Sequence, residues 1–306
     1  MKKKKFICFL ILCFCIVFGF VVCHKDESNV NEKKNIRIVA TIFPQYDFVR
    51  QLTKGVDGVE LSMLASPGVD VHCFNPTPKD IISIENADMF IYVGGKSDVW
   101  AEKILNSSKR KNCSVVSLIE VLKKNGKSEK DLEDEHVWTS ILNCIKIVEY
   151  LEKELIRIDE FNSSKYRENG EEYIKKLLEL DKQFKDLASN KKKDFVVFAD
   201  RFPFKNLFKD YGLKVVSPYS GCSSESEVSS YEMAKIIEKA KKENVSVVLK
   251  TETGNKDIAK SIANSCNAKV LSLNSCHSCS KKDFENGKTF LEFYSENLKN
   301  LKEALS

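Results

Sequence analysis

The chain has 306 residues, with 49 Lys plus Arg against 44 Asp plus Glu and a formal net charge of +5. Lys2, Lys3, Lys4 and Lys5 account for nearly all of that surplus, so the rest of the chain is close to neutral, which argues against a nucleic-acid binder and its basic face. Beyond residue 35 about 270 residues remain, more than one core usually holds, and two lobes are the natural expectation.

The lysine cluster is followed by an unbroken apolar run over residues 6–22, short for a membrane span and suited to a secretory signal. The run ends at Cys23 and charge begins at once, as where a cysteine becomes a lipidated N-terminus, although Phe20-Val21-Val22 lacks the small residue usual just before such a cysteine. An uncleaved N-terminal anchor is the alternative, with the same topology. Either way residues 1–23 read as a signal peptide, and polar residues 24–35 as a flexible tether.

From there short β-branched runs alternate with amphipathic stretches. Strands are expected at 37–42, 59–64, 89–93 and 114–118, within a first lobe over 36–160. Thr77 and Pro78 form an N-cap and first-turn signal, so a helix opens directly after the loop PGVDVHCFNPTP. Tyr166, Tyr173, Leu177, Leu180, Phe184 and Leu187 make one apolar stripe, predicting a helix from 163 to about 189. At 1.5 Å per residue it extends roughly 40 Å, long enough to act as a rigid connector over 161–190. A second lobe over 191–306 repeats the pattern with strands at 195–199, 214–216, 245–249 and 269–273. The fold class is therefore α/β: two similar lobes, each a four-stranded, mainly parallel sheet with flanking helices, joined by one long helix.

Three of the four histidines lie in settings suited to a metal: His72 in PGVDVHCF, His136 in DEHVW and His277 in NSCHSC. His72 follows the second strand, Asp200 the fifth and His277 the eighth, all beyond strand carboxyl ends, where open α/β sheets bind ligands. His136 enters from the loop before the helical connector. Asp200 reads either as a metal ligand or as a helix N-cap. Two facing lobes thus converge on one ion.

The string PGVDVHCFNPTPKDIISIENADMFIYVGG, together with DEHVWTS and YRENGEEYIKKLLELDKQFKDL, resembles the ligand motifs and linking helix of a known family. It is that of the metal-specific (zinc/manganese) solute-binding lipoproteins of ABC transporters, in its zinc-uptake, ZnuA/AdcA-like branch. DYGLKVVSPYSGCSSESEVSS and the stretch from 247 to 277 resemble its second lobe, so the likeness spans residues 36–305. The resemblance implies an extracytoplasmic, membrane-tethered monomer that captures a divalent metal and hands it to an ABC transporter membrane permease. Lipid on Cys23 would hold it to the membrane, or it would be free in the periplasm.

The chain departs from the family pattern in its second lobe. The family's third ligand position falls on Arg201, which cannot coordinate a cation, and aligning the strand end instead brings in Asp200. Arg201 is then expected to pair with Glu225 or Glu227. The fourth position, usually Asp or Glu, coincides with His277. The metal set is accordingly His72, His136, His277 and Asp200, with Cys276 as a conceivable thiolate. Three imidazoles suit tetrahedral Zn2+ at about 2.0 to 2.3 Å better than Mn2+, the alternative cargo. KKNGKSEKDLEDE, before His136, lacks the histidines of a scavenging loop. An adhesin role is a further reading open to a surface lipoprotein. The Cys276/Cys279 pair also permits a thiol redox reading, and Cys222 a disulfide with either. With no HExxH, GxSxG or P-loop, the chain does not read as an enzyme.

Overall fold

Each apolar run expected to be a strand becomes one, and each amphipathic stretch between them becomes a helix. The computed structural model describes residues 35–69, 71, 74–107, 112–219 and 229–306. The leader and Cys23, nearly all of the tether, His72, Cys73, Cys222, Glu225 and Glu227 lie outside those residues.

In the first half the order is β1 (Ile36–Ala40), α1 (Phe43–Leu52), β2 (Val59–Met63), α2 (Pro78–Asn86), β3 (Met89–Tyr92), α3 (Val99–Ser107), β4 (Ser114–Ser117) and α4 (Leu118–Lys124). The helices α5 (Ile141–Ile158) and α6 (Ser163–Asn190) lead to the second half. That half holds β5 (Val196–Phe198), α7 (Lys205–Asp210), β6 (Val215–Val216), α8 (Ser230–Lys242), β7 (Val247–Thr251), α9 (Lys256–Cys266), β8 (Lys269–Leu273), α10 (Lys281–Glu285) and α11 (Phe290–Ala304). Two four-stranded sheets result, ordered β2-β1-β3-β4 and β6-β5-β7-β8. Every pairing is parallel. Both therefore reverse strand order between their first and third strands, where a crevice opens at the carboxyl ends.

Boundaries differ from the sequence expectation for local reasons. β1 stops at Ala40 because the Gln45 side chain accepts the N–H groups of Thr41 and Ile42 at 3.1 and 3.0 Å, closing the strand and capping α1. β7 starts two residues late because Val245 belongs to the end of α8: its N–H donates to the Ala240 carbonyl at 2.9 Å, past Asn244 at φ +48°. Ahead of α2, Thr77 and Asp80 form the reciprocal capping box.

The linking helix runs 28 residues, and all six residues of its apolar stripe are buried. It is more than a rod between lobes. The stripe enters one continuous core with residues from both halves, among them Ile38, Phe48, Val116, Phe198, Leu249 and Tyr294. Gly170 on α6 packs against the Glu152 side chain of α5, which occupies the space a Cβ would take. The halves are further tied by buried Asp47 on α1, which accepts the Phe290 N–H at the start of α11 at 2.7 Å and the Arg50 Nε–H at 2.9 Å. Asn35–Ser306 accordingly forms one compact unit. Among the described residues no helix is long and apolar enough to cross a membrane.

Candidate metal centre

His136 stands at the head of a short 3-10 turn, Val137–Thr139, between the first sheet and α5. Its carbonyl accepts from Thr139 N–H at 3.0 Å, Thr139 Oγ1 at 2.8 Å and Asn206 Nδ2 at 3.1 Å, which anchors the backbone. The side chain is buried, and its Nδ1 lies 2.7 Å from Asp134 Oδ1, an oxygen that also accepts the His136 N–H at 2.9 Å. Burial pushes the Asp134 carboxyl up, but its hydrogen bonds from the His136 ring and backbone N–H outweigh it, and the carboxyl ends below its ordinary range. A carboxylate at that distance holds Nδ1 as the N–H donor, so the lone pair resides on Nε2, the arrangement a metal-binding imidazole requires.

His277 comes from the loop after β8. Its ring centroid lies 4.5 Å from that of His136, edge to face at 75°. Trp138 packs on both rings, at 5.4 Å from His136 and 4.8 Å from His277. The indole N–H of Trp138 donates to the Ser275 carbonyl at 2.9 Å, joining the turn of His136 to the loop of His277. That loop is fixed from its own half as well. Asn297 on α11 exchanges bonds with the Asn274 backbone, both at 2.7 Å. Glu252, just past β7, accepts the Ser275 N–H at 2.9 Å and its hydroxyl at 2.7 Å. Burial pushes the Glu252 carboxyl up despite these two bonds.

A small cavity of about 20 Å3, room for one water-sized sphere, opens at the first sheet's crevice. Thr41 and Val93 line it at the ends of β1 and β3, together with Val71, Phe74, Glu135, Trp138 and His277. Buried Asp98 on the same wall accepts from Val93 N–H at 2.7 Å and Gly94 N–H at 3.2 Å, and desolvation pushes its carboxyl up to about 6. Val71 and Phe74 are the described residues on either side of His72. The same loop touches the second half where Gly68 N–H donates to Ser278 Oγ at 3.0 Å.

Asp200 sits immediately past β5 but is directed into its own half. Oδ1 accepts the Arg201 N–H at 2.8 Å, Oδ2 takes the Thr251 hydroxyl, and Gly254 lies so close that a Cβ there would stand 1.8 Å from Oδ2. Among the described residues, no three His, Cys, Asp or Glu side chains stand together as a cation cage. His136 and His277 make a close pair, and the described bonds of Asp200 are to Arg201 and Thr251. Cys276 does not present a thiolate: it lies in the core at a left-handed φ of +57°, and burial pushes its thiol well up. Cys276 and Cys279 are both free thiols, and burial pushes that of Cys279 up to about 12. This is a poor setting for a redox pair. Sequence reading placed Trp138 in the DEHVW motif without its partner Ser275, 137 residues away, and missed Glu252, whose partner is 23 residues away.

Paired parallel sheets with imidazoles from both halves meeting between them define a metal-binding solute-binding protein. The family described as zinc-uptake complex component A, periplasmic (ZnuA) matches residues 38–304, and the chain belongs to it. The high-affinity zinc uptake system protein ZnuA of Bacillus subtilis is 29% identical, over 99% of this chain and 98% of that protein. The metal-dependent lipoprotein YcdH of Bacillus subtilis superposes with a TM-score of 0.77 at 29% identity, covering 89% of this chain and 100% of that one. The Zn(II)-bound ZnuA-like domain of Streptococcus pneumoniae AdcA superposes at 0.74 with 27% identity, covering 89% of this chain and 99% of the domain. The whole pneumococcal AdcA is longer, and the chain spans 61% of it. The family is a component of metal uptake, not an enzyme.

Proposed function

We propose that the protein is the extracytoplasmic capture component of a zinc ABC transporter, binding one Zn2+ between its halves and delivering it to the membrane permease. His72, His136 and His277 are the imidazole ligands, and Asp200 supplies the carboxylate for the fourth position. Lipid on Cys23 tethers the protein, as a monomer, through residues 24–35. The observation that carries this reading is the pair of imidazoles, one from each half, 4.5 Å apart, the first with its Nδ1 held by Asp134. Nitrogen donors on a rigid frame favour tetrahedral zinc over manganese, which prefers more oxygen ligands. The zinc-binding relatives support the same cargo.

Competition titration of the metal-free protein with Zn2+ and Mn2+ tests the proposal. We expect one-to-one zinc binding, weakened in His72→Ala, His136→Ala and His277→Ala, and less severely in Asp200→Asn. Binding requires deprotonated imidazoles, so affinity falls as pH drops through about 6.5. Preference for manganese would overturn the cargo, and a His277→Ala variant of normal affinity would overturn the ligand set.

A further inference from the structure

We propose that Glu252 is a positioning residue of the metal centre, setting the separation of His136 and His277 through Ser275 alone; this rests on the proposed ligand role of His277. Ser275 is almost fully buried and all its polar groups are engaged. Its N–H and hydroxyl donate to the two oxygens of Glu252 at 2.9 and 2.7 Å. Its Oγ accepts the His277 N–H at 3.3 Å, and its carbonyl accepts the Trp138 indole at 2.9 Å. One residue thus faces His277 on one side and, through Trp138, the turn of His136 on the other.

A carboxylate with both oxygens engaged fixes Ser275 in translation and in rotation, as a single hydrogen bond does not. Glu252 is itself held at the carboxyl end of β7, a fully buried strand in the middle of its sheet. The rigid sheet therefore dictates where the His277 loop stands, and the Trp138 bond carries that position across to the other half. Without Glu252, Ser275 loses its reference to β7 while the bonds of Asn297 to Asn274 persist, so the loop stays folded but His277 is no longer held in register. Outer contacts of this kind tune affinity without touching the ion.

The test is a double-mutant cycle in the full-length protein, using Zn2+ competition for affinity and the visible spectrum of bound Co2+ for coordination geometry. Glu252→Ala should weaken zinc binding about tenfold and shift the Co2+ bands, while in a His277→Ala background it should cost less than about twofold. Urea unfolding and circular dichroism of each variant report the fold. Ser275→Ala, which removes only the hydroxyl, provides a milder second break and should lower affinity severalfold. Glu252→Gln, which keeps one acceptor oxygen, should recover part of the loss. Normal zinc binding in His277→Ala would remove the ligand reading and this inference together. Weak binding in His277→Ala with normal binding and unchanged bands in Glu252→Ala would overturn the inference alone. So would an equal loss from Glu252→Ala in both backgrounds, because Glu252 would then act on the fold at large.

Discussion

The two sheets share one strand order, yet they fix their histidines by different means. In the first half a neighbour two residues away does the work: Asp134 grips the imidazole of His136 directly and sets its tautomer. In the second half the loop backbone that bears His277 is clamped from afar by Glu252 and Asn297. A ring can thus be oriented by its own hydrogen bond and by immobilising the chain that bears it. The first device is local and visible in a motif; the second is distributed and is not.

The largest blow to this contrast comes from removing either ring. His136→Ala and His277→Ala should each lower zinc affinity by about a hundredfold, near 2.7 kcal/mol. If only one does, the halves do not share the ion.

A smaller effect separates the cavity wall of the first half from the site itself. The Asp98 carboxyl is raised to about 6 from 3.8, so the folded protein keeps a proton that the unfolded chain has released. Its stabilising contribution is greatest below pH 3.8 and is lost as pH rises to about 6. Asp98→Asn retains an acceptor for Val93 and Gly94 and should be more stable than the parent by about 2 kcal/mol above pH 6, with the gain vanishing near pH 4. Urea midpoints at pH 4 and pH 7.5 check this, and equal midpoint shifts at both would refute it.

Asp134→Asn tests the direct grip. It should cost about tenfold in zinc affinity with little change in unfolding midpoint, because the partner of Nδ1 loses its charge while the turn remains. Should stability fall and affinity hold, Asp134 serves the turn and not the ring. The mildest probe is Trp138→Phe, which keeps an aromatic face but deletes the bond to Ser275. A loss of about 1 kcal/mol in stability is expected, accompanied by a modest drop in zinc affinity.

All eight strands and the 28-residue helix were legible because periodicity survives in a single sequence: alternation with helices marks a parallel sheet, and a stripe of six large apolar residues marks a buried helix face. Strand ends slipped where tertiary bonds intervened, as when Gln45 closes β1 or Ala240 captures Val245. At the site, His136 was readable because its partner lies within its own motif. Asp200 was readable only as a residue type at a strand end, and nothing near it in sequence announced its bond with Thr251, 51 residues away. Cys276 read as a conceivable thiolate beside His277, but its burial comes from the core shared with distant elements, which spacing does not encode. Trp138 stood in a recognisable motif, but its bond to Ser275 and the role of Glu252 join residues far apart in the chain and gave no local signal.

The core shared by both sheets has a kinetic meaning. Separating the halves would hydrate the aromatic and aliphatic face of α6, and at roughly 2 kcal/mol for each large side chain such an excursion lies close to global unfolding. Hydrogen exchange should therefore report the sheets as one cooperative unit. Among the described residues the loop before α2 meets the loop after β8 through the bond from Gly68 to Ser278, outside that shared core, so this contact can exchange without disturbing the sheets.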